Sequence, residues 1–202
     1  MKTMETMAAI LDLQPVRLDG ETIHLEPLTP EHAPALWRLA DPEIFAWVLE
    51  WPRDDSFEAF AEWMRTRVIE APASLPFAIV LAAAGEPVGV TGYLEIRPPH
   101  LGLEIGRTWI ARAHQGSRVN PESKFLLLRH AFETLGAARV QFKTDLNNLH
   151  SQRAIEKLGA VREGVLRSYQ MRSNGVLRDT VIYSVLRDEW PRVKAGLESR
   201  LR

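Results

Sequence analysis

Apolar and polar positions along the chain switch between two periods, and the switches mark out its elements. Ile23, Leu25 and Pro27 alternate with His24 and Glu26, a two-residue period that predicts a first strand over 22–28. Thr29-Pro30-Glu31-His32 then opens a helix: threonine caps, proline takes the first position and an acid follows. Leu36, Trp37, Leu39 and Ala40 supply its apolar side. Ser56 caps a second helix, with Phe57, Phe60, Ala61, Met64 and Val68 at helical spacing. Between the two helices, residues 41–55 carry Phe45, Trp47, Trp51 and Pro52. Aromatic stripes at helical spacing read first as core. The other reading of this segment is a lid over a substrate.

Residues 77–83, 88–96 and 101–110 read as three strands of an antiparallel meander, with Glu86-Pro87 as a turn and Pro98-Pro99-His100 as a break. The helical period returns over 119–135, where Phe125, Leu126, Leu128, Ala131, Phe132 and Leu135 face inward and Gly136 ends the run. A strand over 138–146 and a short helix over 151–158, stopped by Gly159, follow. Residues 161–171 and 176–186 read as a hairpin around Ser173-Asn174-Gly175, and 188–201 as a closing helix. Residues 1–20 read as a loosely held lead-in that ends at the turn Asp19-Gly20. The expected order is strand, two helices, three strands, helix, strand, helix, two strands. It predicts a mixed α/β fold in one domain over 1–202, with 1–18 as lead-in and 188–202 as the C-terminal helix.

Composition narrows the function classes. The chain has 202 residues, 46% hydrophobic and 25% charged, which is ordinary globular usage. It has no cysteine, so disulfides, thiolate metal sites and cysteine nucleophiles are excluded. A formal net charge of −1 supplies no general attraction to nucleic acid or to an anionic membrane. The basic residues near the end (Arg187, Arg192, Lys194, Arg200, Arg202) alternate with acids and read as a solvated helix face. No apolar run approaches the roughly 20 residues of a membrane span. Met1 to Leu13 lacks the basic flank of a signal peptide, so the expected location is cytoplasmic. The six histidines never fall at zinc spacing, no metal is expected, and His130 reads as structural. Neither a Gly-x-x-x-x-Gly-Lys phosphate loop nor a Gly-x-Ser-x-Gly nucleophile turn occurs.

The chemistry concentrates between Glu104 and Glu122. An apolar strand with Ile105, Trp109 and Ile110 runs into a polar loop, Gln115-Gly116-Ser117-Arg118, and the loop opens the long helix. Gly116 and Ser117 let a backbone approach a ligand closely. Asn120 is expected to cap, Pro121 to hold the first helical position and Glu122 to sit in the first turn. Unpaired N–H groups and partial positive charge at such a helix start make a seat for phosphate.

A second run, Thr144-Asp-Leu-Asn-Asn-Leu-His-Ser-Gln-Arg-Ala-Ile-Glu-Lys-Leu-Gly-Ala160, is followed by Val-Arg-Glu-Gly-Val-Leu-Arg167. On its own it reads as a helix capped by Asn148 and ended by Gly159. With the element order and the loop at 115–122, it resembles the GNAT superfamily of acetyl-CoA-dependent N-acetyltransferases over about residues 20–187, and the RimJ/RimL-like branch in particular. The family's phosphate loop is written Gln/Arg-x-x-Gly-x-Gly/Ala. Gly116 matches it, whereas Ala113 stands at the opening position and Arg118 at the last small one. In the second motif Asn148, Ser151, Ala154, Ile155, Lys157, Gly159, Glu163 and Gly164 match, and Ala160 replaces the usual phenylalanine.

The resemblance implies that the strands at 104–110 and 139–146 run side by side and then splay. The pantetheine arm would pair with the backbone of Trp109 and Ile110. The pyrophosphate would meet the N–H groups of Gln115, Gly116, Ser117, Arg118, Val119 and Asn120, and Asn148 would reach the pantetheine. Arg118 would add a charge toward the phosphates or point to solvent. The family's tyrosine in the short helix falls on Ile155, so Ser151 is left to hydrogen-bond the leaving thiolate. Tyr169 and Tyr183 lie outside that helix and are expected to pack or gate.

An attacking amine must be neutral; a protein α-amine has a pKa of about 8 and a lysine about 10.4. Glu104 is the candidate base, and burial would have to raise it from about 4.3. Its other reading is a salt-bridged strand carboxylate; Glu95 is the second candidate. Backbone N–H near Ile110 would hold the oxyanion. The implied partners are acetyl-CoA and a primary amine, most of all a protein N-terminal α-amine. A small-molecule amine suits the same scaffold, and a coenzyme A sensor without turnover is the second class. Arg97, His100 and the Trp47/Trp51 segment are expected on the acceptor side. A homodimer is a family-level expectation.

Overall fold

The computed structural model describes residues 11–52, 54–172 and 174–202. Eight strands form one sheet: β1 (Leu18–Asp19), β2 (Ile23–Pro27), β3 (Leu75–Leu81), β4 (Pro87–Arg97), β5 (Gly102–Ile110), β6 (Arg139–Asp145), β7 (Val161–Met171) and β8 (Leu177–Leu186). Their spatial order is β1-β2-β3-β4-β5-β6-β8-β7. Neighbours are antiparallel except β5 and β6. A parallel neighbour needs a crossover, and α4 (Val119–Arg129) with the π-helical turns His130–Thr134 supplies it. The remaining helices are α1 (Ala33–Trp37), α2 (Pro42–Phe45), α3 (Phe57–Trp63), α5 (Leu149–Leu158) and α6 (Trp190–Leu201). The mixed, mostly antiparallel architecture matches the sequence-based expectation.

Strand alternation divides the core in two. Phe77 and Ile79 of β3 face one side with Leu103 and Ile105 of β5, packed against Leu127, Leu128 and Ala131. Ala78 and Val80 face the other side with Val90 and Trp109, packed against Leu36, Phe60 and Met64. Both faces of the central strands are therefore covered, which explains why they read as near-continuous apolar runs. The aromatic segment joins the second core: Phe45 stacks on Trp51 with ring centroids 3.6 Å apart and meets Trp109 edge-on at 5.2 Å.

Three expectations are corrected. The lead-in is tied down over its described part: Leu11 is buried, donates its N–H to the Leu135 carbonyl at 3.2 Å, and Leu13, Val16 and Leu18 pack on the core. Residues 1–10 of that expectation, and Ser173 of the hairpin turn, lie outside the described residues. The long helix starts at Val119 with Arg118 as its cap position, so Asn120 lies inside the first turn and Pro121 is not the first helical residue. Glu122 does sit in the first turn, but its carboxylate is buried and accepts the amides of Glu21 and Thr22, the latter at 3.1 Å. It thereby pins the helix start to the turn before β2. Phe125 is only partly buried; Leu127 takes the fully buried position beside it.

Candidate active site

The site is made by two strands that stop pairing. β5 and β6 match at Gly102–Arg139, Leu103–Val140 and Glu104–Gln141 and nowhere beyond, although β5 runs on to Ile110 and β6 to Asp145. A bulge drives β5 away. Between the pairs Val90–Trp109 and Gly92–Gly106, β5 uses one residue more than β4, and Arg107 there adopts φ +49°. A second bulge in β4, with Glu95 at φ +44°, falls between Leu94–Glu104 and Arg97–Gly102. Both lie beside the gap, where a bulge re-aims side chains.

Two cavities meet at this gap. One, of about 410 Å³, is walled by α4, α5 and the β5 end and contains Ile110, Gln115, Gly116, Asn120, Asn148 and Ile155. The other, of about 450 Å³, opens among residues 48–50, α3 and the β4–β5 bulges and contains Glu95 and Glu104. Gly106, Arg107, Thr108, Trp109, Lys143 and Ser151 line both. Each volume suits one small-molecule arm. The geometry offers two approaches to one shared slot, which is what joining two substrates requires.

The first cavity holds much of the expected phosphate loop. Gly116 has φ +74°, and a Cβ there would meet nothing within 4 Å, so its backbone stands open to a ligand. The N–H groups of Gly116, Ser117 and Arg118 have no hydrogen-bond partner among the described residues. Asn120 Oδ1 is buried without a partner. An orphaned acceptor and the free Gly116 donor on one wall, with two more free amides next to it in the loop, fit a polar, anionic chain such as coenzyme A. The Ile110 carbonyl accepts Gln115 Nε2 at 3.0 Å. Asn148 caps α5, its Oδ1 accepting the Ser151 N–H at 3.0 Å, and Gly159 ends that helix at φ +94°.

The side chains of three further loop residues do something else. Arg118 is held by Glu21 at 2.6 Å and by the Leu201 carbonyl at the end of α6, so its charge serves the fold and does not face the cavity. The Ser117 hydroxyl donates to the His114 carbonyl at 2.6 Å and accepts the Val119 N–H at 3.3 Å. The Val119 side chain is buried in the core.

Glu104 sits where β5 leaves β6. Its side chain is 9% exposed, and Oε2 lies 3.0 Å from Lys143 Nζ and 3.3 Å from Gln141 Nε2. A Cβ on Gly106 would come within 2.9 Å of Glu104 Oε1, so the glycine makes room for the carboxylate. Burial raises the Glu104 pKa above the usual carboxylate range, Lys143 opposes that rise, and Glu95 adds to it. Glu104 is salt-bridged, as its second sequence reading expects, and it also lines the open second cavity. Glu95 also engages Lys143 and accepts Gln141 Nε2 at 3.0 Å, but its side chain is 45% exposed.

Other expected residues are placed elsewhere. Trp47 lines the first cavity, Trp51 belongs to the aromatic core, and neither Arg97 nor His100 lines either of these two cavities; Arg97 donates to Gln141 at 3.4 Å. Tyr183 packs in the core with its hydroxyl 3.0 Å from Glu156, and Tyr169 lies under Lys143. Lys143, Gln141, Arg107 and Lys124 were missed. Their signal was present as charge inside apolar runs, as in Val140-Gln-Phe-Lys143, but alternation alone does not say which polar residues converge.

Lys124 of α4 is buried and donates to Thr91 Oγ1 at 2.9 Å and to the Thr108 hydroxyl. No carboxylate pairs with it among the described residues, and burial lowers its pKa to about 7. The unfolded lysine, near 10.4, binds more protons between pH 7 and 10, so stability is expected to rise with pH across that window. The full effect is bounded at about 5 kcal/mol, at about 1.4 kcal/mol per pH unit. Urea titrations from pH 6 to 10 should show the rise in the wild type and its loss in Lys124→Met. Parallel pH dependences would refute it.

Comparisons with known proteins agree with this geometry. The family model described as an acetyltransferase (GNAT) domain matches residues 22–161. An N-acetyltransferase of Bacillus licheniformis named p20, itself uncharacterised, is 27% identical over 84% of this chain and 98% of its own. A crystal structure from T. thermophilus, provisionally assigned as an acetyltransferase, is 44% identical, covers 94% of this chain and 99% of its own, and superposes with a TM-score of 0.88. Mycobacterium smegmatis RimJ in complex with CoA-disulfide shares the fold at a TM-score of 0.76 and 21% identity, over 94% of each chain. The splayed β5–β6 gap, the open loop ahead of α4 and the match over 22–161 together make this chain a member of the GNAT family, an N-acetyltransferase that uses acetyl-CoA.

Proposed function

We propose that the acetyl group goes to a protein N-terminal α-amine, within the RimJ/RimL-like branch, and that residues 1–202 act as one catalytic domain. The observation that carries this is Glu104, a buried carboxylate on the wall of the second cavity, across the gap from the loop that suits coenzyme A. An α-amine near pKa 8 is partly neutral at cellular pH, so a carboxylate raised by burial suffices to take its remaining proton.

In this reading the amine nitrogen attacks the thioester carbonyl carbon and forms the new N–C bond. Glu104 accepts the amine proton, directly or through a water. Backbone N–H near Ile110 stabilises the oxyanion. The C–S bond then breaks and the thiolate leaves. A thiol resembling cysteine, pKa about 8.5, leaves without full protonation. Ser151, which lines both cavities and whose N–H is fixed by Asn148, donates a hydrogen bond to it. Ile155, where relatives carry tyrosine, is buried and apolar.

The test is an acceptor screen read by thiol release: acetyl-CoA with peptides of varied first residue, free amino acids, polyamines and amino sugars. Peptides are expected to exceed the best small amine at least tenfold in kcat/KM. A polyamine or antibiotic amine that outruns every peptide would overturn the acceptor class. No thiol release with any amine, alongside a melting shift with coenzyme A, would favour the sensor.

A further inference from the structure

The second cavity carries more positive charge than the fold itself uses. Of its four cationic side chains, Lys143 is taken by Glu95 and Glu104, and Arg67 by Glu50, whose Oε2 accepts Nε at 2.7 Å. The other two, Arg107 and Arg178, have no carboxylate within 4 Å among the described residues.

Arg178 of β8 is only 8% exposed and is held by neutral groups alone: Nε donates to Thr180 Oγ1 at 3.2 Å and a terminal nitrogen to Gln170 Oε1 at 2.8 Å. Arg107, at the β5 bulge, reaches only the Val68 carbonyl, at 3.5 Å. Desolvation lowers the pKa of both guanidinium groups, although Arg107 is an exposed residue; Glu104 opposes the shift in each, with Glu50 acting on Arg107 and Asp145 on Arg178. Trp63 also lines this cavity, and its Nε1 is buried with no partner. A buried guanidinium with no carboxylate in contact, as at Arg178, and an unsatisfied indole N–H are both costly, and each is relieved by an anion that accepts from it. These donors come from α3, β5 and β8, so no single element accounts for them.

We propose that this cavity selects acceptors in which a carboxylate closely follows the reacting amine: the amine meets Glu104 and the carboxylate docks against Arg107, Arg178 and Trp63 Nε1. This deepens the acceptor proposal above and rests on it, so the class committed to is a protein N terminus with Asp or Glu among its first residues. The carboxylates already present repel an anion near Glu104 and Glu95, which separates the amine subsite from the acid subsite. A free acidic amino acid offers the same chemistry from another source.

The test compares peptides of one length: Ser followed by Asp and Glu, by Asn and Gln, or by two lysines, with free aspartate and glutamate alongside. Titration calorimetry on coenzyme A-saturated protein reads docking even without turnover. The acidic peptide is expected to bind at least tenfold tighter than its amide counterpart, with kcat/KM in the same order. Arg178→Gln should bring that ratio to about two, Arg178→Lys should keep most of it, and Trp63→Phe should lower it several-fold. A melting shift with coenzyme A shows that each variant is folded. Equal affinity for acidic and neutral peptides overturns the proposal, as does an Arg178→Gln effect that is uniform across all peptides. If glutamate or aspartate is the preferred acceptor, the anion subsite stands and the protein N terminus falls.

Discussion

Glu104→Gln is expected to lower kcat at pH 7 by roughly 10²- to 10⁴-fold, the usual worth of a positioned base. Glutamine keeps the size of the side chain and can still hydrogen-bond, so coenzyme A affinity should barely move. The pH profile separates a base from a merely structural carboxylate. Burial raises Glu104, so the acid limb of kcat/KM should lie above the ordinary carboxylate range, with activity climbing as the proton leaves. The variant should lose that limb. Its deficit should also shrink toward pH 9, where an α-amine of pKa about 8 is already neutral. Full rate in Glu104→Gln across pH 6–9 would end the assignment.

Lys143→Met is expected to have the largest effect on the protein itself. Its ammonium is 6% exposed and lies between the carboxylates of Glu95 and Glu104. Removing one member of a buried ion pair typically costs about 3–5 kcal/mol, here because Glu104 loses its partner in a poorly solvated place. The cost depends on pH in a known direction. Without the lysine, Glu104 rises further, so the folded variant holds a proton that the unfolded chain releases. Stability is then retained at acid pH and lost as pH rises through the new Glu104 value. The acid limb of activity should move to higher pH for the same reason. Lys143→Met/Glu104→Gln should recover most of the lost stability at pH 8. Urea titrations at pH 5 and 8 decide it: a loss under 1 kcal/mol at pH 8, or a double variant no better than the single, contradicts this account.

The legible part of the site was the part written in contiguous residues. Gly116, Asn148, Ser151 and Gly159 sit in local motifs whose backbone needs are visible in order: an open turn, a cap, a helix stop. Glu104 was legible as a lone acid in an apolar strand. The Arg118 side chain had two readings, a charge toward the phosphates or one in solvent; Glu21 and the Leu201 carbonyl, 97 and 83 residues away, hold it instead. Asn120 misled because cap preference and proline position both favoured it. The buried Glu122, tied to Glu21 and Thr22, sits in a helix that has already started at Val119.

From the sequence came the element order apart from β1 and α2, the mixed fold, the absence of cysteine chemistry and, through the family resemblance, the expectation of an acetyl-CoA-dependent transferase. Periodicity and local caps are short-range properties, so each window of the chain carries its own signal. Tertiary structure alone decided what converges at the gap. The length of the β5–β6 pairing, the bulges at Glu95 and Arg107, and the meeting of Lys143 with two carboxylates depend on register between distant strands. The meeting of Arg178 with Trp63 of α3 at one cavity and the capture of Lys124 of α4 by two threonines depend on how helices pack on the sheet. Register is set by how whole faces pack, and a shift of one residue would turn Glu104, Lys143 or Arg178 to the other side of the sheet.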